Sequence, residues 1–304
     1  MSSWAAFLSQ RRPLLWRVST APIILVSLSN CSGGVLDPQG PIGAASAKIL
    51  LNALGIMLVI VVPTIIAILI FAWWFRASNT RASYRPDFVY SGGIETVVWG
   101  IPILTIMFLG GVIWIGSHDL DPFKPIASPE KPVEVQVVSL DWKWLFIYPE
   151  QGIASVNQLT IPVGAPVSFE LTSAGVMNSF FVPQLGSQIY TMAAMATRVQ
   201  LQADHPGKYP GLSAQFSGDG FADMRFTVDA VPNGNFAQWV DAARSAGPVL
   251  DAHAYEELVK PSQAVAPFTY RAVGPRLFTN ILSPEMQSDD ALCLASPPSQ
   301  RVEK

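Results

Sequence analysis

Two uncharged runs decide most of what this chain can fold into. Ile49 to Phe75 carries no charged residue and is closed by Lys48 and Arg76; Thr96 to Ser117 is likewise uncharged and lies between Glu95 and Asp119. As helices rising about 1.5 Å per residue, each exceeds a hydrocarbon core of about 30 Å. Pro63 falls inside the first run, a bend that neighbouring helices can absorb. Trp73, Trp74, Trp99 and Trp114 fall near the ends, where an aromatic belt forms. The connecting stretch "RASNTRASYRPDFVYSGGIE" has Arg76, Arg81 and Arg85 in excess over its acids, so it is expected on the cytoplasmic side. The two runs then form a membrane hairpin that delivers everything after Asp119 to the outside.

Composition agrees with that reading. Only 13% of the 304 residues are charged, against about 25% in an average soluble domain. A net charge of −3 argues against a nucleic-acid partner. Two cysteines, Cys31 and Cys293, cannot build a disulfide framework or a cysteine-rich metal site. Residues 1–30 have the layout of a secretion signal: Arg11, Arg12 and Arg17, then the short apolar run "VSTAPIILVSLS". The run ends in "LSNC", which resembles a bacterial lipobox with Asn30 in place of the usual small residue. Cys31 is therefore the expected lipidation site and mature N-terminus.

Beyond Lys131 the pattern changes to short alternating segments punctuated by Gly and Pro. "VEVQVV" and "WKWLFIY" alternate with different parity, which predicts a bulge or bend near Ser139–Asp141. "NQLTIPV", "APVSFELT", "NSFFVPQ", "TRVQLQA", "LSAQFS" and "DMRFTVDA" follow. Such a series predicts an antiparallel sandwich or barrel ending near Pro232. From Phe236 to about Lys260 the period turns helical, with Trp239, Ala243 and Ala246 on one face and Tyr255, Leu258 and Val259 on a second short piece. The polar tail past Pro284 reads as disordered. No internal repeat is present.

Several long motifs carry a resemblance: "VLDPQG" after the lipobox, "FAWWFRASN", "IETVVWGIPIL", "VVSLDWKWLFIYPEQGIA", "MNSFFVPQLGSQIYTMA" and "GLSAQFSGDGFADM". Over roughly residues 25–280 the chain resembles subunit II of the haem–copper respiratory oxidases, most nearly that of bacterial cytochrome bo-type ubiquinol oxidases. The resemblance implies a membrane-anchored all-β protein. Its parts would be a signal peptide (1–30), a periplasmic segment (31–47), transmembrane helices at 48–76 and 95–117 around a cytoplasmic loop (77–94), a cupredoxin-like sandwich (131–232), a C-terminal helical arm (233–282) and a disordered tail (283–304). It places the chain in the bacterial inner membrane with the large domain in the periplasm.

The family divides on one chemical question. Members fed by cytochrome c hold a dinuclear copper centre in the sandwich, built from a His in an H-S-F segment and a C-x3-C-x3-H-x2-M loop. Soft thiolates and imidazoles suit copper. Here Asn178 stands where the first His would be, Ser213 and Ser217 replace the cysteines, Gln215 replaces the intervening carboxylate residue, Phe221 replaces the second His, and Met224 alone remains. A serine hydroxyl does not supply a soft anionic bridge at neutral pH, and a phenyl ring supplies no ligand. His118, His205 and His253 have no ligand spacing. Met224 alternates with Phe226 and Val228, as a core strand residue does, and Trp142 and Trp144, an aromatic pair near the copper in copper-bearing relatives, are expected to pack.

The resemblance therefore implies a subunit that carries no metal. Haems, copper and ubiquinone would lie in a partner catalytic subunit I, joined by small membrane subunits, with ubiquinol as the substrate of the complex. Glu95, at the start of the second span, has two readings: the mouth of a proton-uptake route, or an acid that complements the helix dipole. Two other functions compete: a cytochrome c oxidase subunit with a degenerate copper site, or a membrane-anchored lipoprotein acting as a binding module.

Overall fold

The computed structural model describes residues 34–83 and 85–283. The signal region, Cys31, Cys293 and the tail from Pro284 lie outside the described residues.

Two helices come first, α1 (Pro41–Trp74) and α2 (Gly92–Asp119), of 34 and 28 residues. Both are long and apolar enough to cross a membrane. The first begins eight residues earlier than the uncharged run suggests, because Pro41 opens it and the small residues after it continue the turn. Pro63 and Pro102 lie inside the helices without interrupting them. The two helices approach closely where Gly116 meets Ile49: a Cβ on Gly116 would stand 2.6 Å from Ile49 Cδ1.

The first turn of α1 is seated on the β domain. Gly43 N donates to Leu185 O at 2.9 Å, Gln39 N donates to Gln184 O at 2.8 Å, and Asp204 N donates to Gln39 O at 2.8 Å. Gly40 is required there, since a Cβ would stand 1.9 Å from Gln202 O.

The β domain is a sandwich of two sheets. With β7 at Ile189–Thr191, β8 at Thr197–Leu201 and β12 at Phe268–Tyr270, the six-stranded sheet has the order β12-β3-β2-β1-β5-β8 and the five-stranded sheet β4-β10-β9-β6-β7; a separate short pair joins β11 (Val249–Leu250) to β13 (Ala272–Val273). Its main strands are β1 (Val133–Leu140), β2 (Lys143–Tyr148), β3 (Ile153–Val156), β4 (Gln158–Pro162), β5 (Val167–Ser173), β6 (Asn178–Phe181), β9 (Gly207–Ser213) and β10 (Arg225–Val231). The sandwich is not purely antiparallel: β1 runs parallel to β5, and β10 parallel to β4. Alternation along a strand fixes its faces but not the direction of its neighbour, so the antiparallel expectation fails at these two pairs.

The parity change near Ser139–Asp141 is a reversal rather than a bulge. β1 and β2 form a hairpin in which Leu140 pairs with Lys143 across the two residues Asp141 and Trp142, with Trp142 at φ 63°. "LSAQFS" also differs from expectation. The strand is Gly207–Ser213, and the following residues form a loop. Pro210 sits in that strand because β6 reaches only to Leu212, leaving Pro210 with a ladder partner on one side.

Between the sheets lies an aromatic core of Trp144, Phe146, Phe169, Phe180 and Phe226. Phe180 and Phe226 stack with centroids 5.1 Å apart and planes 13° apart. A second core covers the other face of the six-stranded sheet, where Val138, Leu140, Leu145, Ile147 and Val156 meet Leu250, Leu258, Tyr270 and Phe278 of the C-terminal arm. All six residues of β2 are therefore buried.

The arm is not simply helical. It contains α3 (Asn233–Ser245), α4 (Ala252–Val259) and α5 (Leu277–Leu282), and also β12 (Phe268–Tyr270), which pairs antiparallel with β3 and extends the sheet. Ala246 lies past the end of α3 and is exposed, so it does not share the buried face of Ala243. Lys143, buried in the second core, donates from Nζ to Lys260 O at 2.7 Å and to the Ser262 hydroxyl. Burial lowers the pKa of this ammonium, while Asp141 opposes the shift.

Candidate functional site

The positions that would hold copper sit at one end of the sandwich, where β6 meets the β9–β10 loop. β6 and β9 pair Phe180 with Ser213, which brings Asn178 alongside the start of the loop. Ser213 Oγ lies 3.1 Å from Asn178 Oδ1 and 3.2 Å from Gln215 O, and its single proton serves one of them at a time. The same oxygen is 3.5 Å from Ser179 N, and Asn178 Nδ2 donates to Val176 O at 3.2 Å. Asn178 and Ser213 are both 2% exposed, so these bonds keep polar groups satisfied that water does not reach.

The loop then turns through a short 3-10 helix, Phe221–Asp223. Met224 is 1% exposed and belongs to the core between the sheets. Ser217 Oγ points at its sulfur from 3.9 Å. Phe221 packs edge-on against Phe216 at 5.5 Å and leaves no donor atom at its position.

Trp142 closes this end. Its indole N–H donates to Ser217 O at 3.0 Å. Its ring lies over Gly218, at φ +104°, and Gly220. The "SGDG" segment is glycine-rich because a side chain at either position meets that ring or a left-handed backbone. The sequence marked Trp142 as an aromatic of the site but did not reveal that it clamps the loop; the two glycines were the available signal.

A dinuclear copper centre needs bridging thiolates and imidazoles, and these residues do not fit it. The side-chain donors gathered here are hydroxyls, an amide and the one thioether of Met224, and Ser213 is already engaged with Asn178. Among the described residues there is no group of three His, Cys, Asp or Glu side chains able to hold a metal ion. His118 is committed elsewhere, with Nδ1 2.8 Å from Trp114 O on α2.

Glu95 is not part of this end. It lies in the first turn of α2, exposed, with its N–H bonded to Ser91 O at 3.0 Å. About 36 Å of helix separates it from the sandwich end of α2.

The relatives agree on one subunit type. The cytochrome bo(3) ubiquinol oxidase subunit 2 of Pseudomonas aeruginosa is 47% identical over 278 residues, covering 91% of this chain and 83% of that protein. The chain belongs to the subunit II family of quinol oxidases. The ubiquinol oxidase subunit 2 of Acetobacter aceti is 48% identical over 259 residues, 84% of each chain. The family model for the COX Aromatic Rich Motif matches residues 244–287, most of the arm. Among solved structures, the periplasmic domain of subunit II of cytochrome oxidase from Bradyrhizobium japonicum is similar at 22% identity, with a TM-score of 0.37 over 39% of this chain and 98% of that one. By its relatives the chain is a subunit of an oxidoreductase complex, and its two long apolar helices fit a membrane-anchored one.

Proposed function

We propose that this chain is the non-redox subunit II of a proton-pumping ubiquinol oxidase, the terminal oxidase of an aerobic respiratory chain. The complex oxidises ubiquinol, reduces oxygen to water and translocates protons. The observation that carries the non-redox reading is the Asn178–Ser213 hydrogen bond, which fills two ligand positions with a satisfied, buried and redox-inert pair. Electrons then need no water-soluble donor on the sandwich, because ubiquinol delivers them within the membrane to a haem of the catalytic subunit I. The chain itself stabilises that subunit, which holds the haems, the copper and the quinone; small membrane subunits complete the assembly.

The arginine-rich loop supports an orientation with the loop in the cytoplasm and the sandwich in the periplasm, and we assign Cys31 as the lipidation site at the outer face of the inner membrane. Glu95 then lies on the side from which protons are drawn, and we assign it to the mouth of the uptake route. Purifying the intact oxidase tests this directly. Turnover with ubiquinol and none with reduced cytochrome c is expected, whereas turnover with cytochrome c alone overturns the reading. For Glu95→Gln, slowed oxygen reduction and proton uptake are expected; unchanged rates return Glu95 to the helix-dipole role.

A further inference from the structure

We propose that the loop between the two long helices carries a binding site for the phosphate of an anionic phospholipid. A cleft of about 740 Å³ opens immediately after α1, lined by Arg76, Arg81 and Arg85 together with Trp74, Phe75 and Phe88. Its lining combines guanidinium groups with apolar rings, so the cleft suits a ligand that is itself part charged and part apolar.

The backbone of this turn is pinned while the charges stay available. Asn79 Nδ2 donates to Trp74 O, the last carbonyl of α1, and Asn79 Oδ1 accepts from Arg81 N at 3.1 Å. Arg76 lies 5.1 Å from the centre of the Trp73 ring and donates from Nε to Ser78 Oγ at 3.0 Å, which leaves its terminal amino groups to a ligand. Among the described residues none of the three guanidinium groups pairs with a carboxylate. The segment from Arg76 to Gly93 holds a single acid, Asp87. Three exposed guanidinium groups beside one acid make a net-positive surface, and guanidinium forks match phosphate oxygens.

Position selects the source of that phosphate. The cleft sits where α1 ends and before α2 begins, at the depth where apolar spans give way to headgroups, and basic pockets there take anionic lipids. Phe75 and Phe88 are 61% and 60% exposed, giving acyl chains a surface that free phosphate does not use. A zwitterionic headgroup brings its own cation against the three arginines, so a net-negative headgroup is preferred.

The test uses the full chain in nanodiscs of phosphatidylcholine with a minor fraction of phosphatidylglycerol, followed by detergent extraction and native mass spectrometry of the retained lipid. Wild type is expected to hold phosphatidylglycerol at least about fivefold above its bulk share, the enrichment one arginine alone provides, and an Arg76→Gln/Arg81→Gln/Arg85→Gln variant to fall to the bulk ratio. Lys48→Gln, at the far end of α1, is expected to behave as wild type, and inorganic phosphate is expected not to displace the lipid. Retention at the bulk ratio by wild type overturns the proposal whether or not the triple variant folds. Unchanged retention by a helical triple variant places the lipid elsewhere and overturns it too. Displacement by inorganic phosphate makes this a free-anion site and rejects the lipid.

Discussion

A Cβ on Gly220 would stand 2.4 Å from Cδ2 of the Trp142 indole, so ring and backbone are in direct contact. Gly220→Ala must displace the ring, at a cost of about 1–3 kcal/mol. The melting temperature of the full chain is expected to fall by several degrees. The double variant with Trp142→Ala should lose less than the sum of the two single changes, because the clash is gone. Strict additivity would separate the two residues energetically.

Met224 has a packing role only if no electron passes through this end. Met224→Leu keeps the volume and costs less than about 1.5 kcal/mol. Ubiquinol turnover per haem in the assembled oxidase is expected to match wild type. A tenfold drop in correctly assembled enzyme would give the thioether a redox part and sink the packing assignment.

Lys143 ties the arm to the sandwich through Lys260 O and Ser262. Lys143→Ala removes both bonds and opens a cavity in the second core, a loss of about 2–4 kcal/mol. Limited proteolysis should then cut near Lys260 faster than in wild type, before any cut within the sandwich strands. Equal cleavage rates would mean the arm is held by its apolar contacts alone.

Alkaline pH should loosen the same arm. Burial pushes the Tyr255 phenol from 10.0 up to about 12. The folded state keeps its proton where the unfolded chain loses it, so this stabilisation is complete below about pH 10 and fades as pH rises to about 12. Thermal unfolding followed across that window should show the decline, and Tyr255→Phe should flatten part of it. A Tyr255→Phe profile superimposable on wild type would show that the phenol does not titrate on unfolding.

The pair of long apolar helices was legible because a long uncharged run has few folded solutions. The strands were legible where one face is polar, as in β10, with its regular alternation. β2 was harder, since all six of its residues are buried under two cores. Its inward row Trp144, Phe146 and Tyr148 was readable, but nothing local showed that Leu145 and Ile147 face an arm that begins almost ninety residues later. β12 escaped notice for the same reason: three residues become a strand only because the edge of β3 is there to pair with. At the copper end the residue types could be read off directly, since spacing and side-chain chemistry are local. The bond between Ser213 and Asn178, 35 positions apart, is a product of sheet register, which a single sequence does not print.

The seat of α1 on the sandwich bears on how such a subunit sits in its assembly. With Gly40 and Gly43 pressed against the backbone of residues 184, 185 and 202, no slack separates the span from the domain above it. Helix and domain are joined as one rigid arm, pivoting where the apolar helix meets the sandwich. Tilting the helix within the bilayer therefore swings the whole sandwich, and anything gripping the sandwich from the aqueous side can be felt among the lipids below.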